Sequence, residues 1–213
     1  MGKNNQKRVL DLCVALPLLI FTFPVQIVIF VLVRLSSPGP AIYRADRIGR
    51  DGIIFTMYKF RTMFVGVGGI AVTSMGDRRV TKIGRWLRKT KLDELPQLLN
   101  VVRGDMSLVG RRPEDPAYVA LYSEEQLRVL LVPPALTGPS MVINEEVLIT
   151  GITSEEVHQQ YVNEIMPAKI AIDLHYLDSW TVFGDIRILA LTIKGLLSRT
   201  GSGARNRSVG ASS

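Results

Sequence analysis

The sequence predicts a helix-rich α+β fold, in which an N-terminal membrane helix precedes a small cytosolic domain with surface amphipathic helices and one short β-hairpin. The membrane helix is predicted by Leu12–Val33, a run of 22 residues without a charge. The hairpin is predicted by two β-branched and aromatic stretches around a turn at Gly49–Gly52. Apolar positions at helical spacing predict the helices. We place the membrane segment at residues 1–36, the domain at 37–199 and a disordered tail at 200–213.

Composition limits the compartment and the partners. The 213 residues include 26 Lys and Arg and 19 Asp and Glu, which gives a formal net charge of +7. This balance favours an anionic partner such as nucleic acid, phospholipid headgroups or a phosphorylated substrate. Hydrophobic residues make up 47% of the chain, which excludes intrinsic disorder. The single cysteine, Cys13, excludes a disulfide scaffold and fits a reducing compartment.

The apolar run at the N-terminus is too long for the apolar region of a signal peptide, and no small-residue cleavage site follows it. Pro24 lies at its middle, where a proline removes a helix hydrogen bond and favours a kink. Basic residues flank both ends, so charge gives no clear orientation. The residues fit a kinked spanning helix and a re-entrant helix equally well. A re-entrant helix would bend at Thr22–Pro24, with the Thr22 hydroxyl as an internal hydrogen-bond partner.

Turn residues and apolar periodicity predict the element boundaries. The two strands are expected at residues 42–44 and 53–60, and helices at 82–89, 93–102, 123–131, 154–178 (interrupted near Pro167) and 183–197. Residues 65–76 are rich in glycine but lack the spacing of a dinucleotide-binding loop or a P-loop, so we expect a mobile loop. The last helix is amphipathic and basic, a pattern typical of helices on an anionic membrane surface and also of helices packed against a core.

Asp93 and Glu94 are an acidic pair within the most highly charged part of the chain, residues 77–113. Because proline is tolerated in the first turn of a helix, Pro96 places both carboxylates near the start of the predicted helix at 93–102. Acidic residues at such a position commonly cap free N–H groups and complement the helix dipole, without any catalytic role.

A catalytic role is the second interpretation of the same pair. Basic residues nearby would keep the Asp93 carboxylate ionised, as a carboxylate nucleophile requires, and would collect phosphate oxygens. These residues are Arg85, Arg88 and Lys89. Glu94 lies about 100° further round the helix, so it would take a different task, such as holding Mg²⁺ together with substrate phosphates.

A series of ordered motifs extends from Lys7 to Leu197. They are Lys7-Arg8-Val9-Leu10-Asp11, the mid-segment Pro24, Ser37-Pro38-Gly39-Pro40, Tyr58-Lys59-Phe60-Arg61-Thr62-Met63, Asp77-Arg78-Arg79-Val80-Thr81, Gly84–Lys89, Leu92-Asp93-Glu94-Leu95-Pro96-Gln97-Leu98, Asn100-Val101 and Gly104-Asp105-Met106-Ser107-Leu108-Val109-Gly110. With these motifs in this order, the sequence resembles the monotopic phosphoglycosyl transferases. This is the bacterial sugar transferase family that begins polyprenol-linked glycan assembly.

The resemblance implies a two-step reaction. Asp93 would attack the β-phosphate of a nucleotide-diphosphate sugar, usually linked to UDP, release UMP and carry the sugar phosphate on its carboxylate. A polyprenyl phosphate, typically undecaprenyl phosphate, would then take the sugar phosphate. Glu94 would bind the cofactor Mg²⁺, with Asp93 as a candidate second ligand. Asp173, Tyr176 and Asp185 match the family's C-terminal region, where a structural and a catalytic role are equally open.

The resemblance also implies a location and a set of contacts. Arg88 and Arg112 match family arginines near the phosphate groups, and four further basic residues are our own candidates for binding substrate phosphates: Lys59, Arg61, Arg85 and Arg111. The membrane helix would be re-entrant with its break at Pro24, so that the protein is monotopic in the bacterial inner membrane and its catalytic domain faces the cytoplasm. Expected partners are the nucleotide-sugar donor, the polyprenyl phosphate acceptor, membrane lipids and, as an option, a second copy in a homodimer. No nucleic acid is expected, because no known binding module surrounds the basic residues.

Two departures from the family pattern bear on the donor. Where the family usually has Gly-Pro-Arg-Pro, this sequence has Gly110-Arg111-Arg112-Pro113. The later Arg-Pro-Gly-x-Thr-Gly motif lacks its arginine and first glycine at Pro133–Gly138, and Pro139–Val142 replaces Trp-x-Gln-Val. The sugar, the nucleotide base and the pathway therefore stay open. So does the alternative of a catalytically inactive, membrane-anchored scaffold that binds anionic lipid or a partner protein.

Overall fold

The computed structural model describes residues 3–66, 77–142 and 153–205. Its first element is a helix of 34 residues, α1 (Lys3–Ser36), which includes Pro17 and Pro24. The segment Asn5–Ser36 is long and apolar enough to cross a membrane, by length and composition. Its middle is exposed, and Phe21 is 85% exposed. Because so much apolar surface is unfavourable in water, α1 indicates that the chain associates with a membrane.

The predicted break in α1 is surrounded by local hydrogen bonds. The Thr22 hydroxyl donates to the carbonyl of Leu18 at 2.7 Å and accepts from the Gln26 amide at 3.1 Å. Pro24, two residues after Thr22, has no N–H with which to continue the helical hydrogen bonds. Thr22 therefore supplies a polar contact inside α1 at the point where the backbone pattern is interrupted.

The start of α1 is fixed to the domain by charged side chains. The Arg8 guanidinium donates to the carbonyls of Val101 and Val102 at 2.5 and 2.7 Å. Asp11 is only 4% exposed and accepts from the Leu108 N–H at 2.9 Å. These contacts satisfy main-chain groups that would otherwise need water.

The end of α1 packs into an apolar cluster of the domain. Ile29 and Val33 are 2% and 1% exposed. The buried members of their cluster are Ile29, Val33, Ala41, Phe60 and Leu87. Both ends of α1 thus contact the domain, whereas the apolar stretch between them is exposed.

A β-hairpin follows α1. Its strands are β1 (Ile42–Ile48) and β2 (Ile54–Phe60). They pair antiparallel, with Ile42 opposite Phe60. A 3₁₀ turn at Arg50–Gly52 joins them, and Asp51 in this turn has a φ of 54°, a conformation that Asp tolerates better than most residues. The predicted hairpin and turn are confirmed, and β1 continues to Ile48 rather than ending at residue 44.

Most other elements are helical. The helices are α2 (Lys82–Thr90), α3 (Gln97–Arg103), α4 (Pro116–Val119), α5 (Glu124–Leu127), α6 (Ser154–Gln160), α7 (Met166–Ser179) and α8 (Val182–Arg205). Short 3₁₀ turns lie at Leu92–Glu94, Arg128–Leu131 and Pro139–Val142, and a π-helical turn at Tyr161–Ile165 joins α6 to α7. Strand β3 (Ser107–Val109) pairs in parallel with β4 (Ala135–Thr137).

The helix predictions hold in part. The helix at 82–89 is confirmed as α2, and the interruption near Pro167 is confirmed as the π-helical turn before α7. The helix predicted at 93–102 is wrong at its start, because Pro96 lacks an N–H and separates a 3₁₀ turn from α3. The helix predicted at 123–131 is α5 followed by a 3₁₀ turn.

Three further observations were not predicted or lie outside the described residues. The parallel pair of β3 and β4 escaped prediction, since strands of three residues carry no clear alternation. Helix α8 continues to Arg205, past the predicted boundary at residue 199, because each residue added to an existing helix gains a hydrogen bond. The glycine-rich loop falls largely at residues 67–76, outside the described part of the chain.

Asn100 connects α3 to the hairpin. Its side chain is fully buried. Its Oδ1 accepts from the Tyr58 N–H at 3.1 Å, and its Nδ2 donates to the Thr56 carbonyl at 2.8 Å and to Asp105 at 3.1 Å. One amide group therefore fixes the distance between β2 and the helix that follows the acidic pair.

Replacing Asn100 with alanine is expected to lower the free energy of unfolding by about 2–4 kcal/mol. The substitution removes the hydrogen bonds between Asn100 and the partly buried Tyr58 N–H and Thr56 carbonyl. A thermal scan in detergent would show Tm lower by about 5–15 °C. Asn163→Ala is the matched control, because the exposed Asn163 amide donates to the Gln159 side chain one turn away at 3.2 Å. An unchanged Tm in Asn100→Ala would contradict the prediction.

Candidate active site

The chain between α2 and α3 positions Asp93 and Glu94. Helix α2 lies so close to the end of the hairpin that a Cβ on Gly84 would be 2.0 Å from the Thr62 carbonyl oxygen. The helix ends at Lys91, which has a φ of 59°. This left-handed conformation turns the chain, and the 3₁₀ turn with both carboxylates follows at once. The close packing of Gly84 on Thr62 and the left-handed backbone of Lys91 thus determine where Asp93 and Glu94 lie.

Asp93 is buried without a full set of partners. It is 5% exposed, and its Oδ1 has no hydrogen-bond partner in the described part of the chain. Burial and the neighbouring Glu94 raise the pKa of Asp93. Three cations act on that pKa in the opposite direction: Lys59, Lys91 and Arg88. Because an unpaired buried carboxylate oxygen costs free energy, this atom points to contact with a ligand.

The structure corrects the predicted position of Asp93. It lies in a separate 3₁₀ turn rather than at the start of α3, and burial raises its pKa while the nearby cations oppose that rise. Of the predicted cations, Arg88 is in place, and its Nε donates to the Thr62 hydroxyl at 3.2 Å. Arg85 and Lys89 are exposed on α2.

Glu94 has a different environment from its neighbour. Its Oε1 lies 3.6 Å from the Lys91 ammonium and 3.6 Å from the Arg112 guanidinium. Burial alone would raise the pKa of Glu94, but Lys91, Arg112 and Lys59 together lower it. The two adjacent carboxylates therefore have pKa values shifted in opposite directions, which suits two different tasks.

Lys59 extends from β2 to the acidic pair. Burial lowers the pKa of its ammonium group to about 8, although Asp93 and Glu94 raise it in part. Its Nζ also lies 5.6 Å from the centre of the Tyr43 ring. Lys59 can thus change its charge within the pH range in which enzymes are commonly assayed.

The structure brings three of the six predicted phosphate-binding residues, Lys59, Arg88 and Arg112, to the acidic pair. Arg111 instead donates to the carbonyls of Ile48 and Gly49 at 3.0 and 2.9 Å. Its contacts support a structural role at the end of β1.

Arg61 has a comparable position at the other end of the hairpin. It is 5% exposed and donates to the carbonyls of Ser37, at 2.8 Å, and Pro38. A third carbonyl in reach is that of Val33, at 3.3 Å. Arg61 therefore satisfies carbonyls in the last turn of α1 and in the two residues that follow it, which have no helical partners. The sixth residue, Arg85, is on the surface of α2.

Two C-terminal residues singled out in the sequence form a structural link. Asp185 is fully buried and is bonded to Lys7 at 2.7 Å, to the Tyr176 hydroxyl and to the Trp180 indole at 3.0 Å. This network joins α8 to α1.

Lys91 contacts Glu94 in the structure but was given no role from the sequence. The one feature of the sequence that could have indicated its role is its position two residues before Asp93.

Comparison with known proteins covers almost the whole chain. The family model described as bacterial sugar transferase matches residues 2–199. The chain belongs to the bacterial sugar transferase family. Its predicted membership is thereby confirmed.

Relatives of this sugar transferase are named for related reactions. It is 39% identical over 198 residues to a UDP-glucose:undecaprenyl-phosphate glucose-1-phosphate transferase of Caulobacter vibrioides, covering 91% of this chain and 70% of that protein. It is 37% identical over 195 residues to an uncharacterized sugar transferase, EpsL, of Bacillus subtilis, covering 92% and 89%. It is 32% identical over 204 residues to a UDP-N-acetylgalactosamine-undecaprenyl-phosphate N-acetylgalactosaminephosphotransferase of Aeromonas hydrophila, covering 93% and 45%.

Proposed function

We propose that this sugar transferase is a phosphoglycosyl transferase that moves a sugar 1-phosphate from a UDP-sugar to undecaprenyl phosphate, with Asp93 as the nucleophile. The observation that carries the proposal is the unpaired Asp93 Oδ1, buried beside Lys59, Arg88 and Glu94. The named activities of the Caulobacter and Aeromonas relatives support the reaction class. Because those relatives use different sugars, they leave the sugar of this enzyme open.

In the first step, one Asp93 oxygen forms a bond to the β-phosphorus of the donor. The bond between that phosphorus and the bridging oxygen breaks, and UMP leaves with the electron pair. Lys59 and Arg88 oppose the rise in the pKa of Asp93 and also present positive charge to a diphosphate. The same cations thus favour the ionised nucleophile and bind the substrate.

In the second step, a phosphate oxygen of undecaprenyl phosphate attacks the same phosphorus. The bond between Asp93 and phosphorus breaks, and Asp93 leaves as a carboxylate. Burial of Asp93 leaves its Oδ1 without a hydrogen bond to be broken before attack. Both steps therefore use one oxygen-bearing side chain in one protonation state.

The acidic pair also fits Mg²⁺. This ion prefers carboxylate and phosphate oxygens, and Asp93 Oδ1 is an unpaired donor beside a second carboxylate. We assign the metal-holding role to Glu94, whose pKa is lowered by its neighbours so that it stays ionised. Bound there, Mg²⁺ would neutralise charge on the diphosphate and on the departing UMP.

For the membrane, we propose a re-entrant α1 with its break at Pro24. Arg8 near the start of α1 and Val33 near its end both contact the same small domain. A helix that enters and leaves on one side of the bilayer brings both ends to that domain, whereas a straight helix of 34 residues would separate them by about 50 Å. The enzyme would be monotopic in the bacterial inner membrane, with its catalytic domain at the cytoplasmic surface.

The test is UMP release from protein in nanodiscs, supplied with undecaprenyl phosphate, Mg²⁺ and a panel of UDP-sugars. Release with one donor, together with formation of the matching lipid-linked sugar, would support the reaction and identify the sugar. No release from any donor, and no phosphosugar adduct by intact mass, would contradict it. That outcome would favour a membrane-anchored scaffold.

UMP release is expected to fall above about pH 8, because Lys59 loses its proton there. Once neutral Lys59 predominates, kcat/KM should fall about tenfold per pH unit. Lys59→Arg should shift this decline to higher pH, since arginine stays charged. Lys82→Arg, on the exposed start of α2, is the control and should keep the wild-type profile. The same decline in Lys59→Arg as in the wild type would show that another group controls it.

A further inference from the structure

A second group of charged side chains lines a small cleft on the other side of Arg112. Its polar lining consists of Arg111, Arg112, Glu114, Tyr122, Lys169 and Asp173. The cleft lies between the end of β1 and the first half of α7. Only its arginines were considered as phosphate ligands, and the reaction steps above use none of its acidic residues.

Asp173 is the member of this cleft whose carboxylate is only partly hydrogen-bonded. It is 7% exposed, yet its Oδ1 lacks a hydrogen bond to any residue in the described ranges. The neighbouring Ser140 is fully buried, and its hydroxyl and N–H act as hydrogen-bond donors that lower the pKa of the Asp173 carboxylate. Burial raises the pKa of Asp173 to about 6, against the opposing effects of Ser140, Lys169 and Arg111, so the carboxylate is mostly ionised at neutral pH. A buried carboxylate oxygen without a hydrogen bond, such as Asp173 Oδ1, is costly unless a ligand completes it.

The walls of the cleft are held by contacts that leave Asp173 Oδ1 aside. Lys169, one turn before Asp173 on α7, donates to the Tyr161 hydroxyl at 3.3 Å. That hydroxyl donates in turn to Glu114. Arg111 is fixed on the main-chain carbonyls at the end of β1. The cleft is therefore a built site with a carboxylate acceptor inside it, rather than a gap between mobile side chains.

Arg112 connects this cleft to the acidic pair. Its guanidinium lies 3.6 Å from Glu94 Oε1, and the same side chain lines the cleft. A group attached to the phosphate that Asp93 attacks would therefore lie next to Asp173. The donor carries two groups with hydroxyls, the pyranose on the β-phosphate and the ribose on the α-phosphate. The pyranose is attached to the phosphorus that reacts.

We propose that Asp173, together with Ser140, forms the pyranose sub-site of the donor and accepts a hydrogen bond from a sugar hydroxyl. The inference rests on the proposed function. A carboxylate beside a hydroxyl and an ammonium group complements a pair of neighbouring sugar hydroxyls, which both donate and accept. Ser140 lies in Pro139–Val142, where the sequence departs from the family pattern. Ser140, a residue in a segment that differs from the family pattern, would thus contribute to the choice of sugar.

The test compares Asp173→Leu and Asp173→Asn in the UMP-release assay. Asp173→Leu removes the acceptor at similar volume and is expected to raise the KM for the UDP-sugar about tenfold or more, with kcat and the KM for undecaprenyl phosphate within about twofold. Asp173→Asn keeps one acceptor oxygen, so its KM for the UDP-sugar should lie between those of Asp173→Leu and the wild type. Asp178→Leu is the control, because Asp178 is exposed on the same helix and pairs with Arg128 at the surface. Its kinetics should match the wild type.

Two further measurements separate a sugar contact from other roles. Removing the one sugar hydroxyl that Asp173 contacts should raise the donor KM less in Asp173→Asn than in the wild type. A purely structural role of Asp173 would not produce this difference between deoxy analogues. Inhibition by UMP should be unchanged in Asp173→Asn. If the substitution weakened the binding of UMP as much as the binding of the UDP-sugar, the pyranose assignment would be overturned in favour of the ribose. An unchanged donor KM in both variants, with normal Asp93-dependent turnover in the wild type, would overturn the inference alone. Failure of the wild type to turn over any donor would count against the proposed function instead.

Discussion

Asp93→Asn is expected to lower UMP release by at least about 10³-fold, because the variant has no carboxylate with which to attack phosphorus. It should also abolish the phosphosugar adduct that intact-mass analysis is expected to find in the wild type without acceptor. The amide has nearly the shape of the carboxylate, so donor binding should be kept. The result to be measured is therefore loss of chemistry with retention of binding.

Stability separates this outcome from misfolding. Burial raises the pKa of Asp93 in the folded chain. The ionised carboxylate therefore opposes folding once the pH exceeds the pKa that Asp93 has in the unfolded chain. Asp93→Asn removes this cost, and its Tm at neutral pH should equal or exceed that of the wild type. Asp51→Asn, in the exposed hairpin turn, is the control and should keep full activity. Retention of more than about a tenth of the wild-type rate in Asp93→Asn would exclude Asp93 as the nucleophile.

Glu94→Gln is expected to have the second-largest effect, a loss of about 10²–10³-fold in kcat/KM. The amide cannot supply the charge that we assign to Mg²⁺ binding, so the Mg²⁺ concentration for half-maximal rate should rise about tenfold or more. A calorimetric titration of metal-depleted protein with Mg²⁺, in the absence of donor, measures Mg²⁺ binding independently of the rate. Glu125→Gln, on the exposed start of α5, should behave as the wild type.

The sign of the stability change is opposite for the two carboxylates. Cations lower the pKa of Glu94, so its ionised form favours folding at neutral pH, and this contribution is lost as the pH falls through the folded-state pKa. Glu94→Gln should therefore lower Tm at neutral pH, and the difference from the wild type should narrow in acid. A wild-type response to Mg²⁺ in Glu94→Gln would remove the metal-holding role.

The sequence was sufficient for the features that depend on local patterns. The charge-free run predicted α1, the turn residues predicted the hairpin, and the Asp93-Glu94 pair with Arg88 marked the candidate site. These signals are local because each depends on neighbours within a few residues along the chain.

Long-range contacts account for what the sequence did not reveal. The raised pKa of Asp93 arises from burial, which no local pattern reports. Arg61 and Arg111 resemble phosphate ligands in the sequence, yet in the fold they satisfy main-chain carbonyls of distant segments. The cleft around Asp173 unites parts of the chain more than 50 residues apart, so only the folded chain displays it.

The contacts at both ends of α1 have a consequence for how the enzyme is made. Without α1, the carbonyls at the end of α3 would lose Arg8, and the core beside Phe60 would lose Ile29 and Val33. Helix α3 follows the 3₁₀ turn that carries Asp93 and Glu94, so we expect that turn to reach its final arrangement only once α1 has packed against the domain. A domain made without its membrane helix would then bear no working site, and donor sugars would be consumed only by chains that carry α1.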